Sequence, residues 1–161
     1  MPPTEQTTDP EDLVRPRAAW YVRGSLVATA LLLATVFVIA TQVRPYADDG
    51  TPLRQASHTS IGLPACNFQT WTGMPCPSCG MTTSFAHLVR GNVWYSLRAN
   101  WVGTGLALFC AALIPWSLAS AARGRYYWIR SLEAPLAILV GVFTVTMLVR
   151  WGAVLLLTVF D

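Results

Sequence analysis

Three cysteines are concentrated in a short stretch near the middle of the chain. Nine residues separate Cys66 from Cys76, and the dipeptide Pro77-Ser78 separates Cys76 from Cys79. Closely spaced thiols can form a disulfide, exchange disulfides with a partner, or bind a soft metal ion. The sequence leaves all three kinds of chemistry open.

A disulfide is the simplest interpretation if this stretch lies in an oxidising compartment. Cys66 would pair with Cys76 or with Cys79, and the remaining cysteine would be a free thiol. Such a bond would staple the loop before the predicted amphipathic helix onto the loop that follows the first long apolar helix.

A redox role is the second interpretation. Cys76 and Cys79 precede a predicted helix, whose positive end and free N–H groups stabilise a thiolate. Cys76 would attack a disulfide, and Cys79 or Cys66 would resolve the intermediate. The βαβ pattern that usually surrounds a thioredoxin-like motif is missing here.

Metal binding is the third and least favoured interpretation. The order Cys-Pro-x-Cys-Gly is similar to the knuckle of zinc ribbons, where two thiolates bind from one turn, although most such sites have four ligands. Cys66 would be the third ligand, with His58 or His87 as the fourth. His87 follows Cys79 by about two helical turns, or ~12 Å, which is too far for one ion. His58 could reach from its loop, but nothing requires it to do so. A histidine on the polar face of a helix, such as His87, is more often simply solvated.

The apolar residues are concentrated in runs long enough to cross a membrane. The chain has 161 residues, 53% of them apolar and 12% charged, against ~25% charged in an ordinary soluble domain. Helices are predicted at about 24–43, 100–122 and 133–158, each near the ~20 residues that span a bilayer. We therefore expect an all-α integral membrane protein with three transmembrane helices and a short external amphipathic helical cap.

Arginine placement predicts the orientation of these helices. By the positive-inside rule, two arginine groups mark the cytoplasmic face: Arg15, Arg17 and Arg23 before the first helix, and Arg123, Arg125 and Arg130 between the last two. Residues 1–19 are predicted to be a disordered cytoplasmic tail, and residues 20–160 a single membrane domain. The external segment is then 44–99.

The cap is predicted to contain two short helices lying on the outer leaflet. The first has an apolar stripe of Met81, Phe85, Leu88 and Val89 and a polar side of Thr82, Thr83, His87 and Arg90. Gly91 is a natural end for this helix. Asn92 can cap the second, which continues to Asn100.

These motifs resemble a bacterial membrane-protein family catalogued as domain of unknown function 2752. The resemblance extends over roughly residues 24–155, and its motif positions are Pro75, Cys76, Pro77, Cys79, Gly80, Thr82, Gly91, Asn100 and Arg150. It implies a multi-pass protein of the bacterial cytoplasmic membrane with a shared cysteine site, and it implies no known activity. The family's usual arginine after the threonine is Thr83 here, so no role can be assigned to that cation.

Arg150 interrupts the last apolar run, and the sequence offers two explanations for it. Its side chain could extend to the lipid head groups, which is the simpler case. Alternatively, it faces the helix bundle and pairs with a group there.

Together these features predict a non-enzymatic membrane component whose disulfide-stapled cap contacts another membrane protein or a lipid-borne ligand. The alternatives are a thiol–disulfide redox protein using Cys76 and Cys79, and an external zinc site. No cofactor-binding motif or constellation of catalytic residues is visible. The formal net charge of +3 is too small and scattered to indicate a nucleic-acid partner.

The orientation makes a testable prediction. After reduction and metal chelation, a membrane-impermeant thiol reagent applied to intact cells should label Cys76, because the external segment is predicted to face outward. Cys110, in the apolar second helix, should stay unlabelled. Labelling of Cys76 only in inside-out vesicles, read by peptide mass spectrometry, would contradict the topology.

Overall fold

The computed structural model describes residues 20–124 and 133–160, and its regular elements there are helical. The helices are α1 (Trp20–Gln42), α2 (Asn67–Thr72), α3 (Met81–Leu88), α4 (Val93–Arg123) and α5 (Glu133–Phe160), with a 3-10 turn at Ser57–Ile61. The predicted tail at 1–19 and most of the connection between the last two helices lie outside the described residues.

Three of the helices are long and apolar enough to cross a membrane, which confirms the predicted fold class. The candidate spans are Trp20–Gln42, Val93–Arg123 and Leu136–Thr158. Leu31, Leu32 and Val149 are more than 60% exposed, as expected of side chains that face lipid. The first helix begins four residues before its predicted start, and the second extends back to Val93.

The core forms where α1 and α3 pack against α4. Ala40 of α1, Phe85 of α3 and Ala107 of α4 are buried together. The Phe37 and Phe85 rings lie 5.8 Å apart between their centroids. The apolar stripe predicted for α3 therefore faces the transmembrane helices.

Two residues on the polar side of α3, Thr83 and His87, are also buried, which corrects the expectation of a helix lying on the leaflet with His87 in solvent. Thr83 and His87 are at most 1% exposed. The hydroxyls of Ser57 and Thr83 lie 2.8 Å apart, and His87 Nε2 lies 3.1 Å from the Leu53 carbonyl. The segment between α1 and α2 folds back over α3 and supplies polar partners that the helical pattern alone does not reveal.

Arg90, just after α3, binds the carbonyl groups at the end of α1. Its Nη2 donates to the carbonyls of Val43 and Thr41 at 2.7 and 2.9 Å, and its Nη1 lies 3.4 Å from the Ala40 carbonyl. The last carbonyls of a helix lack intrahelical partners and carry partial negative charge. A guanidinium is well suited to bind several of them at once.

Helix α4 is broken at Asn100, whose φ of −160° and ψ of 102° are not helical. The Asn100 Oδ1 accepts a hydrogen bond from the Gly103 N–H at 3.0 Å, as an N-cap side chain does three residues into a helix. In an unbroken helix that N–H would bond to the Ala99 carbonyl. The break therefore frees the Ala99 carbonyl for a bond outside α4.

Asn92 precedes α4, but the predicted cap is wrong in its chemistry. Its side chain makes no capping hydrogen bond; instead Nδ2 donates to the Tyr46 hydroxyl. The segment between α1 and α2 again supplies the hydrogen-bond partner, because it brings Tyr46 to the end of α3.

Position 80 requires a glycine both for its backbone conformation and because no room is left for a side chain. Its φ is +84°, in the left-handed region that costs other residues ~1–2 kcal/mol. A Cβ at this position would lie 2.6 Å from the Ala99 carbonyl oxygen and 2.9 Å from that of Arg54. Gly73 also has a positive φ, +71°, but a Cβ there would meet nothing within 4 Å.

Two alanine variants separate these effects. Gly73→Ala should lower the free energy of unfolding by ~1 kcal/mol from backbone strain alone. Gly80→Ala should lose a further ~1–3 kcal/mol, because the backbone at Ala99 must move. Thermal unfolding in detergent measures both, and equal losses would contradict the close approach at Gly80.

Candidate functional site

The structure brings Cys66, Cys76 and Cys79 together. The Sγ atoms of Cys66, Cys76 and Cys79 all lie within 4.8 Å of one another. Cys79 is buried, and Cys66 and Cys76 are partly buried. We call these three residues the sulfur cluster.

A tight turn places two members of the cluster. The Cys79 N–H donates to the Cys76 carbonyl at 3.0 Å, and the Met81 N–H to the Ser78 carbonyl at 3.0 Å. The left-handed Gly80 then directs the chain into α3. The Cys76 N–H donates to Cys79 Sγ at 3.2 Å, so the backbone of the turn stabilises a sulfur.

The third sulfur arrives from the start of α2. Cys66 is the residue before this helix, and its carbonyl accepts the Thr70 N–H at 2.9 Å. Gly73, with a φ of +71°, ends the helix. The chain then returns through Pro75 to Cys76, so one helical turn closes the loop between the first and second cysteines.

Side chains of α4 and α5 make hydrogen bonds to the backbone at and beside the sulfur cluster. Asn100 Nδ2 donates to the Cys79 carbonyl at 3.2 Å. Arg150 Nη2 donates at 3.1 Å to the Ala99 carbonyl that the break in α4 frees. Ionisation of Cys79 or Cys76 would place a negative charge within the range of this guanidinium. Arg150 therefore faces the bundle, which is the second of the two explanations that the sequence left open.

Trp151 adds a contact that the sequence analysis missed. Its Nε1–H donates to the Pro75 carbonyl at 2.8 Å, and its ring lies 6.2 Å from that of Phe68 in an edge-to-face arrangement. An indole N–H in an apolar run needs a hydrogen-bond partner, and this requirement was the available signal. The neighbouring residues Arg150 and Trp151 thus both connect α5 to the cysteine-bearing loop.

The environments of Cys76 and Cys79 differ electrostatically. Burial raises the pKa of the Cys79 thiol to about 12, helped by the neighbouring Cys76. Burial also raises the pKa of Cys76, but hydrogen bonds from Ser78 and from the other two cysteines outweigh it, and the net pKa is lowered. Cys76 is therefore the member of the pair that ionises first.

Neither histidine joins the sulfur cluster among the described residues. His58 Nε2 lies 3.1 Å from the Pro64 carbonyl. A carbonyl can only accept, so His87 Nε2 carries the proton that it donates to Leu53, and its buried Nδ1 has no described partner. Burial lowers the pKa of His87, and the charge of Arg90 lowers it further.

The expected disulfide is not formed. All four cysteines are free thiols, and the Sγ atoms of Cys76 and Cys79 lie 3.1 Å apart, compared with ~2.05 Å in a disulfide. Cys110 belongs to α4 and is not part of the cluster.

Thr82, Thr83 and Gly91 lie in or next to α3 and are not part of the sulfur cluster. Thr82 is exposed on α3, and Gly91 has a φ of +78° just after that helix. Thr83 is buried, and its hydroxyl lies 2.8 Å from that of Ser57.

Residues 66–114 match the sequence profile of a family described as Protein of unknown function (DUF2752). The expected family resemblance is confirmed over this segment. The match begins at Cys66 and includes Asn100, but it covers less than half of the chain and stops before Arg150. Searches of curated proteins and of solved structures gave no match.

His87 predicts how stability depends on pH. Because its pKa is lowered in the fold, the histidine stays neutral there while the unfolded chain takes up a proton below about pH 6.5. The free energy of unfolding should therefore fall as the pH drops below that value.

A matched pair of variants tests this assignment through melting temperatures between about pH 8 and pH 5.5. His87→Gln keeps an N–H donor for Leu53 and should flatten the profile. His58→Gln should keep the wild-type profile, because that side chain is more exposed. The reverse pattern would contradict the assignment to His87.

Proposed function

We propose that this membrane protein binds a thiolate-ligated divalent metal ion, with zinc the best-fitting ion, through Cys66, Cys76 and Cys79. The observation that carries the proposal is the meeting of three sulfurs, where a disulfide needs only two. Thiolates are soft ligands that favour zinc and cuprous ions over magnesium or calcium.

The sulfur positions are close to those that a zinc ion needs. With Zn–S bonds of ~2.3 Å, two sulfurs of a tetrahedral site are about 3.8 Å apart. The observed limit of 4.8 Å includes that distance. The Cys76 and Cys79 sulfurs, at 3.1 Å, would separate by ~0.7 Å to reach it, which a small side-chain rotation accomplishes.

The surrounding charge also supports a divalent ion. Three thiolates on a divalent ion leave one net negative charge, which is costly in a partly buried site unless a positive group lies nearby. Arg150 supplies that group, because its guanidinium binds the Ala99 carbonyl beside the cysteine turn.

A thiol–disulfide function is the second candidate, favoured by the 3.1 Å between two of the sulfurs. The Cys76 and Cys79 thiols would give two electrons and two protons to the disulfide of a partner protein, which becomes a dithiol. The third sulfur has no necessary part in that exchange, and for this reason we favour the metal site. A disulfide-stapled cap contacting a membrane partner uses the same cysteines.

We also propose that the sulfur cluster lies on the outer side of a bacterial cytoplasmic membrane, with the N-terminus inside. The arginine groups flanking the predicted inner ends support this orientation. The family resemblance supports the bacterial membrane.

The metal site predicts about one zinc ion per chain in protein purified in mild detergent with reductant, measured by elemental mass spectrometry. Cys66→Ser, Cys76→Ser and Cys79→Ser should each lower the zinc content to below about a tenth, because each removes one of three ligands. Cys110→Ser is the matched control and should retain wild-type zinc.

Size-exclusion profiles identify any variant that loses zinc only because it fails to fold. Wild-type protein without zinc, carrying a bond between Cys76 and Cys79 after mild oxidation, would overturn the metal proposal in favour of the redox one. Zinc content unchanged in all three cysteine variants would also overturn it.

A further inference from the structure

We propose that metal binding at the sulfur cluster fastens α5 to the rest of the protein, with Arg150 as the coupling group. This inference rests on the proposed metal site and assigns it a consequence: occupancy controls how firmly the last helix is docked.

Helix α5 has little other attachment among the described residues. None of the residues in its most apolar window is buried within the chain, compared with 28% of the corresponding window in α4. The two helices leave an apolar groove of about 320 Å³ between them, lined by residues that include Trp101, Phe109 and Phe143. An open groove means that side-chain packing along this interface is incomplete.

The polar contacts of α5 with the described part of the chain are concentrated at the sulfur cluster. Arg150 bonds to the Ala99 carbonyl beside Asn100, and Trp151 bonds to the Pro75 carbonyl beside Cys76. The Trp151 ring also contacts Phe68, within the loop that closes between Cys66 and Cys76. Every one of these partners lies within a few residues of a cysteine or of the break that supports Cys79.

Metal binding changes the charge that Arg150 faces. When a divalent ion binds three thiols, their protons leave to solvent and the complex keeps one negative charge. That charge attracts the guanidinium across a partly buried interface, where screening is weaker than in water. The ion also ties Cys66 to Cys76, which fixes the loop carrying Phe68 and Pro75.

The coupling can be measured on the full chain with a protease site inserted between Gly124 and Glu133. After cleavage in detergent, an affinity tag on the N-terminal side reports how much of α5 stays bound. Retention should be about tenfold higher with saturating zinc than after chelation, as expected for one strengthened charge contact of this kind.

Arg150 variants distinguish coupling from a merely structural role. At saturating zinc, Arg150→Met should still bind the metal but show the same low retention with and without it, while Arg150→Lys should partly restore the difference. Arg23→Met, which removes an arginine that bonds to Ala121 on α4, is the matched control and should keep the zinc dependence.

Three results would overturn the inference or part of it, and they are distinguishable. One zinc per chain with equal α5 retention before and after chelation would overturn the coupling and leave the metal site standing. Absence of zinc from the wild-type protein would overturn both. Zinc-dependent retention that persists in Arg150→Met would assign the effect to the loop rather than to the arginine.

Discussion

The break in α4 at Asn100 is the constraint on which the rest of the structure depends. The Asn100 Oδ1 accepts a hydrogen bond from the Gly103 N–H and so replaces the lost backbone bond. The Asn100 Nδ2 donates to the Cys79 carbonyl. The carbonyl of Ala99, freed by the break, lies against Gly80 and receives Arg150. A continuous helix would bond that carbonyl internally, and the cysteine turn, α4 and the last helix would lose their common point of contact.

The chemistry proposed for the sulfur cluster depends on the contacts at Ala99 and Asn100. The cysteine turn lies beside the Ala99 carbonyl that the half-buried Arg150 binds, and the start of α2 brings a third sulfur to the same place. Three sulfurs with a nearby positive charge form a donor set suited to a divalent metal ion. The same contacts attach α5, so the proposed chemistry and the docking of a membrane helix share their residues.

The sequence predicts the three spans because a bilayer requires long uncharged runs, and this requirement is local. It also predicts the helix that follows Cys79 and its end near Gly91, because side-chain periodicity and the backbone preference of glycine are local signals. The direction of Arg150, the role of Trp151 and the burial of His87 depend on partners between 34 and 76 residues away. Asn92 makes no side-chain cap for the same reason, because its amide donates instead to the hydroxyl of Tyr46, in the segment between α1 and α2.

X-ray absorption at the zinc edge tests the central claim most directly, because it counts the atoms bound to the metal. Protein loaded with about one zinc per chain should show about three sulfurs at ~2.3 Å together with one lighter atom. A shell made only of oxygen and nitrogen, or a shell with a single sulfur, would contradict the proposal that the sulfur cluster is a metal site.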